Sequence, residues 1–365
     1  MRVFFQAFWY KKKNIKKSPV YFVLLLLSWF YRFCLVIREH LLKRLEEEKI
    51  GVPVISVGNL SVGGEGKTPL VIKIASMFLK TGLKPGIVMR GYKRKKRGVF
   101  IVDPEKDNAE TCGDEAYLIA RNVNCPVAVG IRRERAVRQM LESRGVDLVI
   151  LDDGFQVRRL KKDVEIVIMK TERESLNFHL FPLGPMREPL ENIKRSDLIV
   201  FNLGFKKKGF LGIPKELTES KTIFFASLKP LNICNIKTGA YMDFNYLKGK
   251  EIVAFSGLAD NESFFDLLKN VGAKIKDAIS FPDHHFYKEK DIQKILNRKG
   301  QLYVTTEKDA VKLFQLNIPD TFYYLSVDMN IEREKDFFSS ILDIIEKKRH
   351  GEPIWRKEFI SLTQH

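Results

Sequence analysis

The segment "VISVGNLSVGGEGKTPLV", Val54 to Val71, decides the fold. It reads as an apolar strand, a glycine-rich turn, and Lys-Thr entering a helix. Backbone N–H groups gathered at a helix start bind phosphate oxygens. The residues expected to cradle a nucleotide are Ser61, Val62, Gly63, Gly64, Glu65, Gly66, Lys67 and Thr68. Lys67 brings a positive point charge to the phosphates, and the Thr68 hydroxyl is placed to ligate Mg2+. The usual pattern starts with glycine where this chain has Ser61. Serine is tolerable there if its backbone keeps a negative φ, since glycine is needed only for unusual dihedrals or close approach. The plain alternative is a glycine-rich turn that caps a helix.

A second strand, "VDLVILDDG", ends on two carboxylates. An apolar strand tipped by Asp152 is the expected second magnesium element of a phosphate-loop enzyme. Asp153 binds metal or substrate, or caps the following turn. Neighbouring residues on an extended strand face opposite ways, so the two need not meet one ion.

Short apolar strands alternate with longer helices: "KPGIVM", "CPVAVG" and "DVEIVIMK" are strands, and "NAETCGDEAYLIARNV" is a helix from near Asp114. The segment "IRRERAVRQMLESRG" is a basic helix. This alternation argues an α/β fold, phosphate-loop NTPase-like, with a mostly parallel sheet covered on both faces. Residues 205–250 are less regular and antiparallel in character; from "EIVAFSG" on, a second, smaller α/β domain follows. The expected division is 1–50 N-terminal helical segment, 51–195 kinase-type core, 196–345 second domain, and 346–365 basic tail. "IREHLLKRLEEEKIGVPV" reads as a polar helix stopping near Gly51 and Pro53.

"KKKNIKK" precedes "PVYFVLLLLSWFYRFCLVI", Pro19 to Ile37, interrupted by Arg32. A span needs about 20 apolar residues, and this run falls just short unless Arg32 snorkels. Three readings stand: a span, a hydrophobic helix lying in the membrane surface, and a buried helix of a soluble domain. The formal net charge of +18 calls for anionic partners: nucleic acid, acidic lipid or phosphorylated substrate. No recognition-helix, zinc or aromatic RNA-binding pattern supports nucleic acid. The four cysteines are scattered, which fits a reducing compartment.

Proton-handling candidates are Asp114, Glu115, His284 and His285. Asp114 sits at a helix start, where the dipole favours its charge. In "FPDHHFY" a carboxylate can orient a histidine for proton transfer; the alternative is a polar turn before a helix. Arg132, Arg133, Arg158 and Arg159 line an anion cleft or belong to solvated surface.

In chain order, "SVGNLSVGGEGKTP", "RGY", "GDE", "DDGFQ", "GPMREP" at Gly184 to Pro189, "FPDHHFY" and "TTEKDAVKL" together resemble the tetraacyldisaccharide 4'-kinase family of lipid A biosynthesis. The resemblance covers nearly the whole chain, to about Leu313. It implies transfer of the ATP γ-phosphate, with Mg2+, to the 4'-hydroxyl of a tetraacyldisaccharide 1-phosphate, giving lipid IVA. It also implies two α/β units joined by a two-stranded linker, with a hinge. It places the enzyme at the cytoplasmic face of a bacterial inner membrane. A monomer acting on a lipid disaccharide at a bilayer surface, with no nucleic-acid partner, is the expectation. The family's catalytic aspartate lands on Asp114 and its histidine on His284, beside Lys67, Thr68 and Asp152. Arg90 and Tyr92 of "RGY", with Asp153 and Gln156, are expected near the substrate. Many members follow "DDGFQ" with histidine; this chain has Val157, so that histidine has no role here. The rival reading is a phosphate-loop ATPase or GTPase with a membrane partner. It leaves "GDE" and "DHH" without a task.

Overall fold

The computed structural model describes Trp9, residues 19–42, Arg44, and residues 46–171, 177–205 and 219–349. The tail expected at 346–365 lies almost wholly outside the described residues. Within them one sheet of thirteen strands runs through the molecule. The strands are β1 (Val54–Gly58), β2 (Pro85–Met89), β3 (Phe100–Ile101), β4 (Val127–Val129), β5 (Leu148–Asp152), β6 (Val164–Lys170), β7 (Leu198–Asn202), β8 (Thr222–Asn235), β9 (Tyr241–Asp243), β10 (Glu251–Ser256), β11 (Lys274–Ser280), β12 (Leu302–Thr306) and β13 (Phe322–Ile331). Their order is β11-β10-β12-β13-β8-β7-β6-β1-β5-β2-β4-β3, with β9 on β8.

Strand β1 lies between β5 and β6, parallel to both. Its register sets Val57 level with Asp152, so the phosphate-type turn and the carboxylate-tipped strand leave the sheet side by side. Such a crevice at the carboxyl ends of parallel strands is where open α/β sheets bind ligands. Side chains alternate between faces. Ile55 and Val57 face a core shared with Leu70, Ile74 and Phe78 of helix Lys67–Lys80, while Val54 packs with Ala136, Val137 and Met140 of helix Arg133–Arg144. Strands buried on both faces explain the continuous apolar runs.

The two long strands β8 and β13 pair antiparallel. Strand β8 also pairs parallel with β7, and β13 parallel with β12. These two strands therefore link the sheet around β1 to the sheet around β10. Strand β7, which the sequence reading set after residue 195, extends the first sheet by pairing with β6. Helix Glu334–Lys348 returns to that side, burying Phe337, Ile341 and Ile345 beside Ile74 and Phe78. In the C-terminal part, Val253 and Phe255 face one core and Ile252 and Ala254 the other.

The N-terminal helix is Pro19–Leu42, 24 residues, or about 36 Å at 1.5 Å per residue. It is long and apolar enough to cross a membrane. One stripe docks on the protein. Leu24 and Ser28 are buried, the Ser28 hydroxyl donates to the Leu180 carbonyl at 3.0 Å, and the Tyr31 hydroxyl donates to the Arg187 carbonyl at 2.9 Å. Phe22, Leu26, Trp29, Phe30, Phe33 and Val36 are exposed on the remainder. A helix so exposed is not the core helix of a soluble domain.

Of the polar helix expected to reach Gly51, only Ile37 to Leu42 is helical, as the end of Pro19–Leu42. Among the described residues that helix is the last before β1, and Glu48 bridges to Leu160 instead. Three glutamates at Glu46 to Glu48 would crowd a helix C-terminus, where the dipole is already negative. Glu48 instead meets Arg138 at 2.6 Å.

Candidate active site

The glycine-rich turn leaves β1 and enters helix Lys67–Lys80 through Gly66. Gly66 has φ +97, and a Cβ there would lie 2.4 Å from Asn202 Nδ2. That amide donates to the Glu65 carbonyl at 2.8 Å, so the loop and the end of β7 hold each other. The Glu65 carboxylate accepts from the Lys170 backbone at 2.6 Å and from the Ser61 hydroxyl. Ser61 is buried and forms an antiparallel bridge with Met186. It is absent from the positive-φ residues, so the entrance position is satisfied without glycine.

Lys67 Nζ donates to Asn59 Oδ1 at 3.1 Å and sits 3.3 Å from Asp153 Oδ1. Asp153 adopts φ +55, which turns it away from the course of β5. Arg187 Nη1 approaches its two oxygens at 3.0 and 2.9 Å. Burial opposes the Asp153 charge, but Lys67 and then Arg187 hold the carboxyl down at about 2. Gln156 donates to the Asn59 carbonyl at 3.0 Å and faces Arg187 at 3.4 Å, closing the ring. Sequence reasoning assigned no role to Asn59 or Arg187. Both lay in quoted motifs, and Arg187 is the charge in "GPMREP".

Asp152 differs from its neighbour. It is buried, and its Oδ1 has no hydrogen-bond partner among the described residues. Burial, and then the charge of Glu115, push its carboxyl up to about 7, against the pull of Lys67. An unpartnered buried carboxylate oxygen costs free energy unless something answers it. A hard cation does so. Among the described residues no group of three or more His, Cys, Asp or Glu side chains forms a closed metal cage. That agrees with Mg2+, which takes one or two carboxylates and completes its shell with waters and phosphate oxygens.

A second cluster stands beside the first. Asp114 opens helix Asp114–Asn122 behind Gly113, whose φ is +95 and whose Cβ would lie 2.9 Å from the Tyr92 carbonyl. The glycine lets the "RGY" turn press on the helix start. His284, 170 residues away in sequence, presents Nδ1 to Asp114 at 2.8 and 3.1 Å. Both are buried, and His284 holds φ +57. Burial alone would raise the Asp114 pKa. The His284 hydrogen bond and the fields of Lys308 and Lys312 outweigh it and hold the carboxyl well below the usual carboxylate range. The Tyr92 ring, half exposed, lies edge-on to the imidazole at 5.0 Å. Lys308 reaches Glu115 at 2.9 Å and His284 Nε2 at 3.4 Å. Sequence reasoning quoted "TTEKDAVKL" without singling out this lysine.

The remaining candidates are dispersed. His285 pairs with Asp291 at 3.1 Å and stacks on Phe281, within the C-terminal part. Arg90 follows β2 and is exposed. Arg133 is buried, with Nη1 donating to the Gly130 and Ile131 carbonyls, both at 2.9 Å. Arg158 meets Glu39 of the N-terminal helix at 2.8 Å, the Arg159 carbonyl accepts from Glu48, and Arg132 is exposed. Of the four, Arg133 lies in the field of Asp153, Arg90 and Asp152 beside the site, while Arg158 faces the N-terminal helix.

The geometry is that of a phosphate cradle, a carboxylate suited to a cation, and a buried Asp–His pair beside them. The sequence model of the Tetraacyldisaccharide-1-P 4'-kinase family matches residues 20–346. The chain is similar to the Tetraacyldisaccharide 4'-kinase of Legionella pneumophila strain Corby, 34% identical over 331 residues, covering 91% of this chain and 94% of the relative. It is similar to that of Aquifex aeolicus, 35% identical over 320 residues, covering 86% and 95%. A crystal structure described as the "apo" form of LpxK from Aquifex aeolicus in complex with ATP superposes with a TM-score of 0.74 at 35% identity, covering 89% of this chain and 99% of that one.

Proposed function

The chain belongs to the tetraacyldisaccharide 4'-kinase family, and from that premise we propose how its own residues carry out the family's reaction. The enzyme phosphorylates tetraacyldisaccharide 1-phosphate with ATP and forms lipid IVA. The observation that carries the assignment of residues is the buried contact between His284 Nδ1 and Asp114, 2.8 Å long, next to the loop that ends in Lys67 and Thr68.

Ser61 to Thr68 hold the ATP phosphates, and Lys67 stabilises charge on the transferring group. Thr68 and Asp152 would hold Mg2+, which would neutralise phosphate charge. What supports the metal reading is the unpartnered Asp152 oxygen and the all-oxygen character of the donors. Asp153, fixed by Lys67 and Arg187, keeps the lysine near the cradle. Asp114 orients the 4'-hydroxyl and accepts its proton, while His284 fixes the carboxylate. Tyr92 and Arg90 border the place where the sugar enters. Gln156 helps hold the Asn59–Arg187 network.

The N-terminal helix lies with its docked stripe on the protein and its phenylalanine-rich face in the bilayer, at the cytoplasmic surface of the inner membrane. The support is the stripe itself: four turns of a spanning helix would not be fastened along a water-facing domain. No part of the reading calls for nucleic acid. The boundary between the two units runs along β8 and β13.

The test is direct. Purified protein receives γ-labelled ATP, magnesium and the disaccharide 1-phosphate in detergent. Label on the distal sugar supports the reading, and ATP hydrolysis without lipid labelling overturns it.

A further inference from the structure

Lys308 lies on the short helix Glu307–Ala310 of the C-terminal part and reaches across to the helix that carries Asp114. We propose that Lys308 is a positioning residue of the kinase: its ammonium, 3.4 Å from His284 Nε2, fixes the imidazole in the neutral tautomer that donates from Nδ1 to Asp114. This rests on the reading of Asp114 and His284 as the reacting pair.

Donors and acceptors fix the ring. An ammonium carries three donors and no acceptor. A nitrogen facing it must therefore present a lone pair. With Nε2 so committed, the ring proton resides on Nδ1, which faces the Asp114 carboxylate. A second proton on the ring would set one cation against another. The ammonium is itself well held. Glu115 lies 2.9 Å from it and Asp283 3.7 Å. Burial works against its charge, but Glu115, then Asp114 and Asp283, raise its pKa above the ordinary lysine value.

Carboxylates also face the ring. Asp114 lies 2.8 Å from Nδ1 and accepts the one ring proton. Asp283 Oδ1 lies 3.8 Å from Nε2 but 3.7 Å from Lys308, which draws on the same oxygen. Asp114 and Glu115 face the histidine from one helix, Lys308 and Lys312 from the C-terminal part, and Tyr92 and Lys93 from the turn after β2. Lys93 meets the His284 backbone carbonyl at 3.5 Å, adding positive charge on the far side.

The chemical consequence concerns the base. An imidazolium held against Asp114 would bind the carboxylate's charge and make it a poorer proton acceptor. A neutral imidazole orients the same oxygens and leaves them more basic. The proton from the sugar hydroxyl goes to Asp114, and no proton passes through Lys308.

Two measurements test this. First, 15N NMR of the His284 ring in the unaltered enzyme at neutral pH is expected to show a protonated Nδ1 and an unprotonated Nε2. A protonated Nε2 overturns the proposal, whatever any variant does. Second, kcat and KM for ATP are followed against pH in Lys308→Met, Lys308→Arg and Asp114→Asn. Lys308→Met is expected to lower kcat about tenfold or more and to move the acid limb of the kcat profile upward by about one pH unit. KM for ATP should hold, and Lys308→Arg should restore the limb. An unmoved limb in a folded Lys308→Met enzyme overturns the positioning role. If Asp114→Asn turns over like the unaltered enzyme, it is the dyad reading that fails. If Asp114→Asn is crippled while Lys308→Met keeps its limb, only the role of Lys308 fails.

Discussion

Asp114→Asn tests the centre of the account. The residue is 2% exposed and its carboxylate contacts His284 at 2.8 Å. Asparagine keeps its shape and can still accept from His284 Nδ1 and the Glu115 backbone, so the fold should persist. The amide cannot take a proton from an alcohol. Loss of a positioned base costs about 10²- to 10⁴-fold in rate, or roughly 2.7 to 5.4 kcal/mol of barrier. The ATP cradle does not depend on the carboxylate, since Lys67 is held by Asn59 and Asp153. Turnover should therefore collapse while ATP affinity, read by titration calorimetry, stays within a factor of about three. Stability should fall by about 1 to 3 kcal/mol, because a charged hydrogen bond in a buried cluster is replaced by a neutral one.

The pH dependence has a definite sign. The folded-state pKa of Asp114 is depressed. Its contribution is thus present above the unfolded value of about 3.9 and is lost as pH falls from there toward the folded value. Urea unfolding of the asparagine variant should lose that portion of the acid dependence. Label transfer within threefold of the unaltered enzyme, or ATP affinity falling as far as turnover, would refute the reasoning.

Lys67→Ala should reduce lipid phosphorylation by about 10²- to 10³-fold in the labelled-ATP assay, and an unchanged rate would remove the loop from the mechanism. Asp152→Asn should weaken magnesium dependence, measured as the metal concentration giving half-maximal transfer; an unchanged value would place the ion elsewhere. Gly66→Ala meets both a φ of +97 and Asn202 Nδ2 at 2.4 Å, so urea unfolding should show a loss of about 1 to 3 kcal/mol; no loss would mean the loop relaxes freely. Changing Phe22, Phe30 and Phe33 together to serine removes exposed apolar bulk of about 1.5 to 3 kcal/mol per side chain from a bilayer. Co-sedimentation with anionic vesicles should then fail while Ser28 still docks on Leu180, and full retention would locate the anchor elsewhere.

Much of this site was legible in local sequence. A strand, three closely spaced glycines and Lys-Thr specify a phosphate turn because the backbone geometry is local. Asp152 followed from the same logic, one strand away. The Asp114–His284 contact was not local. Residue types alone left Asp114, Glu115, His284 and His285 open, and family resemblance narrowed the choice before geometry joined the two. His285 shows why: it has the same chemistry as its neighbour and yet packs on Phe281, because φ +57 at His284 aims only one ring at the crevice. The arginines were open in sequence for a related reason. Charge in sequence does not reveal that Arg133 will be buried against two carbonyls or that Arg158 will face Glu39. The polar helix stops at Leu42, short of Gly51, through a tertiary override in which bridges from Glu48 outweigh propensity.

The division of labour across the sheet then carries a mechanical implication. Asp114 and Glu115 stand on the side of β1, and His284 and Lys308 on the side of β10. The contacts between them, at 2.8 and 2.9 Å, are the reach of one hydrogen bond each. A relative displacement of about 1 Å along those contacts would take both outside hydrogen-bonding range. The phosphate loop has ties of its own that do not run through these contacts: Glu65 to Lys170 and Asn202, and Ser61 to Met186. Nucleotide binding and base assembly are thus separable by geometry.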